Sequence, residues 1–145
     1  ARRRSRGGTP MLYEYALTIA ANTLEASPAT LDAPLAPGTV ARVDVQFPRG
    51  CVGLVHVQVW RSEHQVWPGN LDGNIAAEGL VVSWPEDYDL EDEPFTLSLR
   101  GWNDDDSYPH TITFRFALLP LTAKEEARES AGLLRRIGQA IFGGS

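Results

Sequence analysis

Only one cysteine and one methionine stand among 145 residues. A single thiol, Cys51, excludes an intramolecular disulfide framework and a cysteine-based zinc site. It fits folding in a reducing place. No apolar run approaches the ~20 residues that a membrane-spanning helix needs. The basic N-terminus lacks the apolar stretch and cleavage pattern of a secretory signal. There is no alternation of strands and helices, so a parallel nucleotide-binding sheet is not expected. Internal repeats, a glycine-rich phosphate cradle and a Gly-x-Ser-x-Gly elbow are also missing. His56, His64 and His110 show none of the close spacings of metal ligands. Catalytic chemistry thus has no motif to rest on, and no catalytic residue is assigned.

What is present is the composition of a globular domain, 43% apolar and 22% charged. Its length suits one domain. The net charge of -6 hides an asymmetry. Four of the 13 basic residues, Arg2, Arg3, Arg4 and Arg6, lie in the first six positions, leaving nine basic groups against 19 acidic ones in the rest. Such a body repels nucleic acid, and the arm offers phosphate only nonspecific contact. Residues 1–10 read as a flexible arginine-rich arm, suited to an acidic surface on a neighbouring subunit.

Residues 11–120 read as short strands divided by Gly, Pro, Asn and Asp. In "TVARVDVQFP", Val43, Val45 and Phe47 alternate with polar residues; Val55, Val57 and Val59 do the same in "VGLVHVQVW". Phe95, Leu97 and Leu99 share one face of "FTLSLRGW", and Ile112, Phe114, Phe116 and Leu118 face inward in "HTITFRFALLP". "MLYEYALTIA", "GLVVSW" and the short "EHQVWP" add further strands, while residues 22–38, with three prolines, read as a surface loop. Six to eight strands in this pattern predict an all-β, antiparallel sandwich of jelly-roll kind.

Residues 121–145 change character. Thr122 and Glu125 form a capping box after Pro120, and Ala127, Ala131, Leu134, Ile137 and Ile141 make a helical stripe beside Leu133. The expected amphipathic helix needs cover, from its own sheet or from a partner subunit. Its polar face is mixed in charge, which argues against a membrane surface.

Two constellations invite chemistry. Asp104, Asp105 and Asp106 follow Asn103, and in a loop their oxygens are a candidate calcium site. The competing reading is an acidic hairpin turn, since Asn and Asp bond their own main chain there. They close a band of acids over residues 86–106 that predicts one strongly negative end of the sandwich. Trp60 and Trp102 fall on the outward parity of their strands. Exposed, they would serve a subunit interface or stack a carbohydrate ligand.

The stretches "FPRGCVGLVHVQVW", "HQVWPGN" and "FTLSLRGWNDDDSYPHTITFRF", with the capped C-terminal helix, resemble small β-sandwich structural proteins of tailed-phage particles. Head decoration, or cement, proteins are the nearest group. The resemblance covers roughly residues 11–120. It implies a non-enzymatic role in the virion, assembled in the host cytoplasm. It also implies a homo-oligomer, often a trimer, that clamps capsid subunits and uses a terminal arm. Arg2, Arg3, Arg4 and Arg6 on the arm, with Leu133, Leu134, Ile137 and Ile141 on the helix, are the expected contact residues.

Overall fold

A computed structural model describes residues 9–121. Those residues form eight strands and no helix: β1 (Met11–Ile19), β2 (Ala29–Pro34), β3 (Gly38–Gln46), β4 (Val55–Arg61), β5 (His64–Trp67), β6 (Val81–Leu90), β7 (Thr96–Asn103) and β8 (His110–Pro120). They build two four-stranded antiparallel sheets, in the orders β1-β8-β3-β6 and β2-β7-β4-β5. Apart from the β4–β5 hairpin, every connection passes from one sheet to the other.

The sheets face each other in a sandwich-like arrangement across one buried cluster. Ile112, Phe114, Phe116 and Leu118 come from one sheet, Val55, Val57, Val59, Leu97 and Leu99 from the other, all fully buried. Period-2 alternation places them there, as their spacing predicts. Each such side chain contributes ~1.5–3 kcal/mol on burial. In β3 a bulge at Ala41 shifts the register between Val40 and Arg42. The extra residue lets Val40 and Val43 both point inward although their parity differs. At Gly101 the sheets come too close for a side chain. An added Cβ would collide with Ile19 Cδ1 and lie 3.3 Å from Val57 Cγ1.

The side of the sandwich between β5 and β6 is closed by aromatics. Trp67 stacks on Phe116 and meets Trp84 and Tyr88 edge-on. Glu86 Oε1 accepts from both indoles, 2.8 Å from Trp67 Nε1 and 3.1 Å from Trp84 Nε1. An open cleft of about 480 Å³ lies above, lined by His64, Gln65, Val66, Trp67, Gly69, Glu86 and Tyr88.

Two expectations need correction. Residues 22–38 are not a loop throughout: β2 lies within them, paired with β7 from Ala29 to Pro34. Local composition had argued against a strand, but β7 supplies the ladder and Ala33 fills the core. The acidic band also does not gather at one end. Glu86, Asp87 and Asp89 lie along β6, Glu91 to Glu93 follow it, and Asp104 to Asp106 sit at the opposite end. Strand β6 runs through Pro85 to Leu90, longer than the apolar run predicts, and carries its acids on the half toward Leu90.

Because Met11 pairs with Leu118, and Gly38 with both Pro120 and Leu90, the chain enters and leaves the described sandwich at one end. Connections 35–37, 62–63 and 91–95 share that end; 20–28, 47–54, 68–80 and 104–109 share the other. Gly101→Val is expected to destabilise the fold by about 1–3 kcal/mol through overpacking. A urea midpoint unchanged from that of the parent chain would contradict the close approach.

Candidate functional site at the four-loop end

Hydrogen bonds centred on Asn103 tie two of the four connections at the far end, 20–28 and 104–109. This side chain is 1% exposed, on the inward parity at the close of β7. Its Nδ2 donates to Ile19 O at 3.2 Å and Tyr108 O at 3.0 Å, and its Oδ1 accepts from Asp105 N at 2.9 Å. The Asn103 main-chain N donates to Thr23 O at 2.9 Å. One amide thereby links the end of β1, the 20–28 connection and the 104–109 connection. Buried and fully used, such a group is costly to lose, because each partner left unpaired costs ~1–3 kcal/mol.

Each aspartate after it has its own partner. Asp104 Oδ2 lies 3.0 Å from His56 Nε2, and its main-chain N donates to Leu54 O. Asp105 accepts from Ser107 N at 2.9 Å, Tyr108 N at 3.3 Å and His110 Nε2 at 2.8 Å. Its own carbonyl accepts from Asn22 N. Asp106 Oδ1 accepts from Ser107 Oγ. These are the bonds of an Asx-rich turn. Among the described residues no group of three or more His, Cys, Asp or Glu side chains is placed to hold a metal. The hydrogen bond from His110, then that from Ser107, holds the Asp105 carboxyl below the ordinary aspartate range.

A second latch joins connections 47–54 and 68–80. Glu78 accepts from Val52 N at 2.8 Å and Gly50 N at 3.0 Å, which lowers its pKa. Val52 has φ +50°, a left-handed backbone that a β-branched residue adopts only under strain. The latch holds it with its side chain 69% exposed. Beneath, Cys51 is fully buried. Burial foremost, then Glu78 and Asp105, pushes its thiol pKa up.

The end so tied together is apolar outside. Of the nine large apolar side chains exposed among the described residues, all but Met11 and Leu12 lie on these four connections or at the first residue of β6. Tyr108 is 67% exposed and Leu24 66%, with Leu54, Leu80 and Val81 less open; Leu71, between Asn70 and Gly73 whose carbonyls accept from Gln65 and Gln58, lies beside the β4–β5 hairpin instead. Scattered leucines are ordinary on a surface; their collection at one end is not.

The two tryptophans are placed differently from expectation. Trp102 keeps its outward parity but is 6% exposed, because His56 on β4 stacks over it at 5.4 Å and 20°. His56 is fixed in turn by Asp104 and by Asn74 Oδ1 at 2.8 Å from Nδ1. Trp60 is half-buried, with the Arg100 guanidinium 4.0 Å from its ring centroid. Arg100 Nε has no hydrogen-bond partner. Arg2, Arg3, Arg4 and Arg6, and Leu133, Leu134, Ile137 and Ile141, lie outside the described residues. Asn103, Glu78 and Arg100 were not singled out by sequence. Asn103 carried a signal, as an Asn opening an Asp-rich turn; the other two carried none.

No protein-family model matches the chain, and no curated protein matches it. No helix among the described residues is long and apolar enough to cross a membrane.

Three outcomes are expected. Asn103→Ala should cost about 3 kcal/mol in urea unfolding, the price of its unpaired partners; a loss below ~1 kcal/mol would contradict the clasp. The Asp105 stabilisation is complete above the ordinary aspartate pKa of ~4 and is lost as pH falls through its lower folded value. Asp105→Asn should therefore flatten the acid limb of a Tm-against-pH curve, and a parallel curve would count against it. Cys51 should resist a thiol reagent in the native protein and react on unfolding; prompt native labelling would contradict its burial.

Proposed function

We propose that this chain is a non-enzymatic structural protein of a virus particle, of the head-decoration kind, acting through interfaces between subunits. The observation that carries the reading is the division of labour between the two ends. One presents apolar side chains on a hydrogen-bonded loop platform, including a strained Val52 held outward. The other is where both terminal segments join the sandwich. A subunit that must bind a neighbour at one end and send chain toward others from the opposite end needs such a layout. Burial of the platform would supply non-directional attraction, and its fixed loops would limit the entropy lost on docking.

The strand orders β1-β8-β3-β6 and β2-β7-β4-β5 support a jelly roll, with eight strands switching between sheets. The virion setting draws its support from the sequence resemblance. The arginine arm, Arg2 to Arg6, would meet acidic surface on a neighbour, and assembly would be homo-oligomeric. Carbohydrate stacking finds less support, since one face of the Trp60 ring is occupied by Arg100 and one face of Trp102 by His56.

An antibody raised against the purified chain should label gradient-banded particles of the virus whose genome encodes it. Signal confined to the unassembled soluble fraction would contradict this function.

A further inference from the structure

We propose that two copies of this chain join through strand β1, edge to edge and antiparallel, so that the sheet β1-β8-β3-β6 continues across a two-fold axis into its partner. The proposal rests on the homo-oligomeric part of the reading above and names the surface that joins the copies.

Four of the described strands stand at sheet edges, β1 and β6 in one sheet and β2 and β5 in the other. An edge exposes main-chain N–H and C=O groups that can bond another strand, and folds commonly blunt it. Three of the four are blunted. Strand β2 has six residues and ends at Pro34, and β5 has only four. Strand β6 carries Pro85, which has no N–H to donate, then Glu86, Asp87 and Asp89.

Strand β1 is built differently. Its nine residues, MLYEYALTI, include no proline, glycine or lysine. They pair with β8 in an unbroken register from Met11 to Ile19, with no bulge to twist the edge away. Its one charge, Glu14, is answered within the sheet by Arg115, Nε to Oε1 at 2.7 Å. The Tyr15 hydroxyl donates to Pro34 O and ties the strand to the other sheet. Little order therefore has to be gained on pairing. The two large apolar side chains exposed away from the loop end, Met11 at 43% and Leu12 at 68%, are its first residues.

The strand is its own complement. Antiparallel partners carry matched side chains on one face, so a two-fold axis sets one residue of β1 opposite itself. The register that pairs all nine residues centres on Tyr15. There Glu14 faces Ala16 of the partner copy, Leu12 faces Thr18 and Met11 faces Ile19, so no like charges meet. A register centred on Glu14 would set two carboxylates against each other, which is destabilising. The Tyr15 register forms roughly eight to ten main-chain hydrogen bonds between copies. The chain has a net charge of -6, and two copies meet with least repulsion along an edge whose only carboxylate is already paired. Such an isologous contact closes at two copies.

The test is sedimentation velocity of the full chain over a wide concentration range, where the wild type should reach a dimer. Ala16 faces solvent on the outer side of β1, so charge there reads the register without touching the core. Ala16→Glu sets a second carboxylate against Glu14 of the partner, twice over by symmetry. It should raise the apparent dissociation constant roughly threefold to tenfold. Ala16→Lys sets an ammonium there and should lower it by a similar factor, a gain that misfolding cannot mimic. Both effects should fade in high salt. A shift in the same direction for both variants, or for neither, overturns the edge contact. Dimers abolished by Leu24→Lys and untouched by the Ala16 variants would place the contact at the loop end and overturn it too. A wild type monomeric throughout also overturns the pairing, while labelling of particles would still uphold the virion role. A β1 dimer absent from particles would keep the pairing and remove that role.

Discussion

At the close of β7 an amide side chain is carried into the space between two sheets, where its donors and its acceptor must find partners inside the protein. Asn103 finds them in Ile19 O, Tyr108 O and Asp105 N. An unmet buried amide is costly, so these three segments are held together wherever the fold forms. The triple aspartate takes its shape from this constraint. With the Asp105 main chain fixed, its carboxylate reaches Ser107, Tyr108 and His110, and Asp104 reaches His56. His56 in turn covers Trp102. One amide thus sets the turn, the turn sets the histidines, and His56 shields an outward-facing indole.

The sandwich beneath is an ordinary apolar core with its open side shut by Trp67 and Trp84 on Glu86. Two of its edges carry features that discourage unwanted strand pairing. Pro34 ends edge strand β2, and Pro85 with Asp87 and Asp89 interrupts edge strand β6. Exposed apolar side chains are concentrated at the loop end, where the latch on Val52 and the clasp of Asn103 hold the loops in place. Val52, a β-branched residue at φ +50°, is kept outward there at a local conformational cost.

Much of the core was legible in the sequence, because a strand with one buried face must alternate. Val43, Val55, Leu97 and Phe114 could be placed inward from parity alone, and they are fully buried. Parity could not reveal β2, whose ladder depends on β7 far along the chain. Nor could it locate the bulge at Ala41, which reverses the facing of everything before it. The acidic band misled for a related reason. Closeness in sequence is not closeness in space when a sheet crossing and an eight-residue strand, β7, lie between. For the site, the Asx turn was readable from local chemistry. The outward parity of Trp102 was also correct, but its cover, His56, comes from 46 positions earlier and pairs across the sheet. The apolar platform was invisible, because its exposed apolar residues are dispersed over four connections that only the topology gathers.

The central claim is that these four connections form one fixed surface rather than independent loops. Amide hydrogen exchange on the full chain tests it most directly. The amides of Asn22, Val52, Asn103, Asp104 and Asp105, all hydrogen-bonded between or within the loops, should exchange as slowly as those of β3 and β8, opening only with the fold as a whole. Exchange at the rate of open surface loops, with the strands still protected, would contradict the account.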